Sequence, residues 1–117
     1  MEFYHKVAII LQKNERESLM IIHIVMFKFN EENKKANIIQ AKQMLENLMG
    51  AIGSLKSIDV GINFDKAPRA MDLSIICVFE GIEGLKLYDA HPEHQKVVDF
   101  IKSVTEYSKV VDYDKNS

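Results

Sequence analysis

Ile21-Ile22-His23-Ile24-Val25-Met26-Phe27-Lys28-Phe29 is the stretch that decides the fold. It is rich in β-branched and aromatic residues, and a strand's period of two leaves both of its faces apolar as far as Lys28. Such a strand predicts cover on both sides. Just downstream, Asn30-Glu31-Glu32 offers a capping side chain and an acidic first turn, the chemistry of a helix N-terminus. Ile38, Ala41, Leu45, Leu48 and Ile52 then recur at steps of three and four. They predict one amphipathic helix of about five turns that stops at Gly53. Lys56 to Phe64 alternates Ile58, Val60, Ile62 and Phe64, a half-buried strand in which Gly61 marks a bulge or a close approach. After the loop chemistry of Asp65-Lys66-Ala67-Pro68-Arg69-Ala70, Asp72 to Glu80 is a third strand, again apolar on both faces. Ile82 to Ala90 suits a short helix. Pro92 forbids its simple continuation but is welcome in the first turn of a new helix carrying Val97, Ile101 and Val104. Ser108 to Tyr113 makes a last short strand.

The order is β-α-β-β-α-β with the second helix broken, which is an α+β, ferredoxin-like arrangement of a four-stranded antiparallel sheet with helices on one face. The uncovered face of such a sheet is normally polar, yet the first and third strands are apolar on both sides. A second copy packed sheet against sheet is the economical cover, and it predicts a homodimer of closed symmetry.

Composition narrows the function. The 117 residues fit one domain, and 47% hydrophobic against 27% charged residues is globular rather than disordered usage. Fifteen basic against seventeen acidic residues, with no basic block, argue against nucleic acid as a partner. No apolar run approaches the roughly 18 residues of a membrane span. One cysteine, Cys77, cannot form an internal disulfide, so a cytoplasmic setting is expected, and a mid-strand thiol without a flanking base is expected to be inert. No phosphate-cradling glycine loop, dinucleotide fingerprint or serine-nucleophile motif is present, so no cofactor is expected. Residues 1–19 stand apart: a short apolar run, then Gln12 to Ser18, all polar, ahead of Met20. Two readings stay open, an extension that adds an edge strand or covers a surface, and a translated leader preceding a start at Met20.

Three segments carry a family resemblance: the opening strand from Ile22 to Phe29, the run Tyr88-Asp89-Ala90-His91-Pro92-Glu93-His94, and the ending Val110-Val111-Asp112-Tyr113. Together they resemble the stress-responsive A/B barrel (Dabb) domain over Met20 to about Asp114, and the Tyr-x-x-His-Pro-x-His run is the most specific part. The resemblance implies a dimeric α/β barrel with a pocket in each subunit. In a plant polyketide-cyclase branch of that family, the tyrosine and second histidine of this run act as acid and base, which implies catalytic roles for Tyr88 and His94. A pocket histidine of the first strand falls on His23, while another, on the third strand, falls on Leu73 and is therefore missing. The expected pocket wall is His23, Val25, Phe27 and Phe29, with His91 nearby, and the expected ligand is a small organic molecule.

Each candidate has a plainer reading beside the chemical one. His94 shares a helical stripe with Val97, Val98 and Ile101, so it points inward. There it acts as a base titrating near neutrality, or it only hydrogen-bonds a neighbour and fixes the helix. Tyr88 lies six residues earlier, nearly opposite on an unbroken helix, so only the break at Pro92 brings the two together. His91 and His94 have a metal-like spacing, but His91 precedes a proline and no second ligand cluster supports a metal site. The function reading is thus a cavity protein for a small organic ligand. Its enzymatic alternative is cofactor-independent proton chemistry of the cyclase, isomerase or monooxygenase type.

Overall fold

A computed structural model of the chain describes residues 19–116. The readings of residues 1–18 lie outside the described residues. Four strands and three helices follow in the order β1 (Met20–Phe29), α1 (Lys34–Glu46), β2 (Leu55–Ile62), β3 (Leu73–Glu80), α2 (Gly81–Ala90), α3 (Pro92–Val104) and β4 (Thr105–Asp114). The strands form one antiparallel sheet in the order β2-β3-β1-β4. The α+β, ferredoxin-like architecture is therefore the observed one. β1 and β3 are its two inner strands, the two segments that carry apolar residues on both faces, interrupted only by His23 and Lys28 in β1 and by Ser74 and Glu80 in β3.

The pleat divides the sheet into two surfaces. Ile21, Val25, Phe27 and Phe29 of β1 and Leu73, Ile75, Cys77 and Phe79 of β3 are buried beneath the helices with Ile38, Ala41, Leu45, Val97 and Ile101. Full burial of each large apolar side chain contributes about 1.5–3 kcal/mol. The opposite surface carries Ile22, Ile24, Met26, Ile76, Val78, Val111 and Tyr113, and among the described residues no helix packs on it. Met26 is 41% exposed there and Val111 50%.

Asp72 joins the layers. It is 8% exposed, its carboxylate accepts from the Phe29 amide at 2.7 Å, and its own amide donates to the Phe27 carbonyl at 2.9 Å. Lys34 Nζ lies 3.3 Å from the same carboxylate, so the start of α1 is tied to the end of β1.

Local expectations fail where the chain turns. Helix α1 does not open on Asn30, whose amide instead donates to the Val104 carbonyl at 2.9 Å. Its flanking residue is Asn33, in the left-handed region at φ 53° with no side-chain cap, and the first turn holds no acid. Leaving β1 needs a tight reversal, and asparagine is among the few residues that tolerate that conformation. Nor does α1 run to Gly53. It ends at Glu46, and a turn through Gly50 at φ 89° keeps Leu48 and Ile52 buried although they are outside the helix. In β2 the irregularity falls between Leu55 and Ser57 rather than at Gly61, which pairs regularly with Ser74. Phe64 lies beyond the strand and is 95% exposed.

Candidate functional site

The broken helix builds the site. His91 ends α2 and begins α3 in an extended conformation at φ −69° and ψ 135°. Its amide donates to the Tyr88 carbonyl at 3.1 Å, while its Nδ1 accepts from the Glu93 amide at 3.0 Å. Pro92 occupies the first turn, where its missing N–H is harmless. His91 is thus a cap with one ring nitrogen engaged, and it does not line the cavity as the sequence led us to expect. Among the described residues no group of three or more His, Cys, Asp or Glu is placed to hold a metal ion.

The break turns Tyr88 and His94 toward each other. Their ring centroids are 4.1 Å apart with planes inclined by 39°, so the two rings meet in a tilted contact. Tyr88 is fully buried, tilted against Phe79 at 4.9 Å and edge-on to His23 at 6.0 Å. The Cys77 thiol donates weakly to its hydroxyl at 3.9 Å. Burial raises the tyrosine pKa far above the ordinary range, so it stays a neutral phenol, and burial likewise pushes the Cys77 thiol up to about 11.

His94 Nδ1 lies 3.3 Å from the Asp89 carbonyl oxygen. A carbonyl can only accept, so Nδ1 carries the proton and Nε2 keeps the lone pair. Burial lowers the His94 pKa, outweighing the Asp89 contacts that raise it, and keeps the ring neutral near pH 7. His23 Nδ1 is held by Asp112 Oδ1 at 2.5 Å. The two residues face each other across the β1–β4 pair, so strand register makes the contact.

These groups surround a cavity of about 250 Å³ between sheet and helices. His23, Val25 and Phe27 form its floor with Ile75 and Val110, and Tyr88, Asp89, His94, Val97, Val98 and Ile101 form its roof. Phe29, expected at the wall, is packed in the core instead, because β1 carries it past the cavity to Asp72. The face bearing His23 is the one beneath the helices, so the cavity lies within a single chain and not between two sheets.

The family model described as the stress responsive A/B barrel domain matches residues 21–115. The chain belongs to that family. Solved structures share the A/B barrel domain's fold. A dimeric protein of unknown function with a ferredoxin-like fold from Bacteroides fragilis is 27% identical, with a TM-score of 0.75 over 81% of this chain and 95% of that one. A dimeric ferredoxin-like protein of unknown function from Thermobifida fusca is 23% identical, with a TM-score of 0.76 over 84% and 92%. A hydroxynitrile lyase from Passiflora edulis is 14% identical, with a TM-score of 0.76 over 86% and 96%. No curated protein matches. Among the described residues no helix of this A/B barrel domain is long and apolar enough to cross a membrane.

Sequence reasoning missed two features of the site. Asp112 stood in the quoted ending of the chain but was not assigned to His23, because only the register of β4 on β1 reveals that pairing. Lys102, Thr105 and Ser108, which also line the cavity, carry no motif.

Proposed function

We propose that this protein binds a small carbonyl compound in the cavity under α2 and α3 and moves a proton on it without a cofactor. One observation carries the reading: a neutral imidazole, His94, is fixed by the Asp89 carbonyl so that Nε2 is its basic nitrogen, and it lines an apolar cavity. In the step envisaged, a C–H bond beside the carbonyl breaks and its proton goes to Nε2. The electron pair moves onto the carbonyl oxygen as an enolate, and the proton returns to carbon or oxygen when the product forms. Asp112 fixes His23 so that its Nε2 is the nitrogen turned to the ligand, and Tyr88 supplies the tilted ring wall against which His94 rests. Tyr88 as the formal acid has less support, because its ring rather than its hydroxyl meets His94. The size is consistent with this reading: a cavity of about 150 Å³ takes up benzene, so 250 Å³ suits roughly ten non-hydrogen atoms.

The test is deuterium uptake beside the carbonyl of 2-octanone in D2O, followed by proton NMR. The native protein accelerates uptake, and His94→Ala, with its fold checked by circular dichroism, loses a factor of about 100 or more. Equal rates for the two proteins overturn the reading.

The same reading includes a homodimer built through the open sheet face. Exposed Met26, Ile76, Val111 and Tyr113 form an apolar surface that monomers rarely leave in water, and related structures of this fold are described as dimeric. A solution mass of twice the 13.4 kDa chain is expected. A stable monomer at micromolar concentration contradicts it.

A further inference from the structure

The cavity has two polar ends. At one are His23, Tyr88 and His94; at the other are Lys102, Thr105 and Ser108, with Val25, Val98 and Val110 between them. Two elements give the separation independently. Lys102 follows His94 by eight residues on α3, about 12 Å at 1.5 Å per residue. Ser108 precedes Asp112, the partner of His23, by four residues on β4, about 13 Å of strand. Helix and strand therefore carry the same polar-apolar-polar order along one channel.

The far end is cationic and uncommitted. Among the described residues Lys102, like Lys28, Lys35, Lys66, Lys109 and Lys115, has no carboxylate within 4.0 Å, and of these lysines it is the one that lines the cavity. A helical side chain leans toward its own N-terminus, so Lys102 reaches back over the channel toward Val98. Ser108 pairs with buried Phe27 and thus faces the helices too, adding a hydroxyl donor at the same end.

We infer that the ligand is an oxo acid, an aliphatic carbonyl compound whose carboxylate is held by Lys102 and Ser108 while its carbonyl lies between His23 and His94. Lys102 is a specificity-determining residue: it fixes which end of the ligand enters first and so places the acidic C–H beside His94. This inference rests on the proton-transfer reading above and names its substrate class.

The experiment compares 6-oxoheptanoate with its neutral isostere 6-oxoheptanamide, measuring dissociation constants by ligand-observed NMR and deuterium uptake beside the ketone. The carboxylate binds the native protein roughly three- to tenfold more tightly than the amide, and added salt narrows the gap. Lys102→Met abolishes the preference without weakening the amide, Lys102→Arg keeps it, and Lys96→Met on the same helix leaves it unchanged. Equal affinity for acid and amide, a preference that survives in Lys102→Met, or no binding of either compound overturns the inference. If 2-octanone still exchanges in a His94-dependent manner, the proton-transfer reading survives that failure. If no ketone exchanges, the proton-transfer reading itself has failed.

Discussion

Replacing Tyr88 by phenylalanine and by alanine separates what its ring does from what its hydroxyl does. The ring is fully buried against Phe79, His94 and His23, with centroid distances of 4.9, 4.1 and 6.0 Å. Truncation removes three aromatic contacts and opens a cavity in the buried core, so Tyr88→Ala is expected to lose about 3–5 kcal/mol. In a domain of this size each kcal/mol moves the melting midpoint by roughly 4–8 °C, so the loss amounts to about 12–40 °C. The hydroxyl is different: its polar contact is a thiol at 3.9 Å, a weak donor at long range. Tyr88→Phe is therefore expected to change stability by no more than about 1 kcal/mol. Thermal melts by circular dichroism and urea titration give both numbers. A Tyr88→Phe variant that lost more than about 2 kcal/mol would show that the hydroxyl anchors the fold. An alanine variant that lost less than about 1 would refute the ring as the keystone of the α2–α3 junction.

Further expectations concern Asp72, His94 and the open sheet face. Asp72→Ala leaves the Phe29 amide without its buried acceptor and Lys34 without one of its carboxylates, so urea unfolding should show a loss of about 1.5–3 kcal/mol; a loss below 0.5 would mean water replaces the carboxylate. Deuterium uptake should fall in acid with a midpoint below 6.5, because burial lowers the His94 pKa despite Asp89, with His23 and His91 adding to the lowering, and protonation removes the lone pair. Stability follows the same sign: it is fully present above 6.5 and declines as pH falls through the depressed native value, since the unfolded chain takes up the proton more readily; a midpoint above 6.5 contradicts the burial argument. Ile76→Lys, placed on the open face opposite Asp59 and Ile24, should yield a folded monomer by light scattering, and an unchanged dimer would move the interface elsewhere.

How much of this was legible in the sequence depended on distance along the chain. The two inner strands announced themselves because, apart from His23 and Ser74, every residue of Ile21–Phe27 and Leu73–Phe79 is apolar, whichever face of the sheet it takes. The helix break was legible for a local reason, since Pro92 constrains His91 directly. Turn geometry was less legible: Asn30 and Asn33 are both plausible helix starts, and only the path out of β1 selects the second. Ile62 and Phe64 continue a perfect alternation, yet lie exposed at and beyond the end of β2, because periodicity marks a face and not how far the cover above it extends. The least legible feature was the His23–Asp112 pair, 89 residues apart and joined only by the register of an outer strand. Cavity position followed the same rule. The sequence placed His23 with Val25 and Phe27 on one face but had no means of saying that the helices, rather than a second sheet, stand over it.

That last point has a physical consequence for how the protein divides its work. A strand's side chains alternate between faces, so His23 and its neighbours Ile22 and Ile24 project to opposite sides of one β layer, and the two sides communicate only through a shared backbone. The cavity draws its polar groups from one chain: His23, held by Asp112, from the sheet, and Tyr88, His94 and Lys102 from the helices that cover it. The apolar open face contributes none of these groups. In the proposed dimer, a second copy on that face would touch the site only through β1 and β4, which carry His23 and Asp112, and would donate no reacting group. The β1–β4 register is therefore where the proposed assembly and the proposed chemistry would meet. A substitution that shifted it by a single residue would turn Asp112 to the open face and leave His23 without its carboxylate, even with every helix in place.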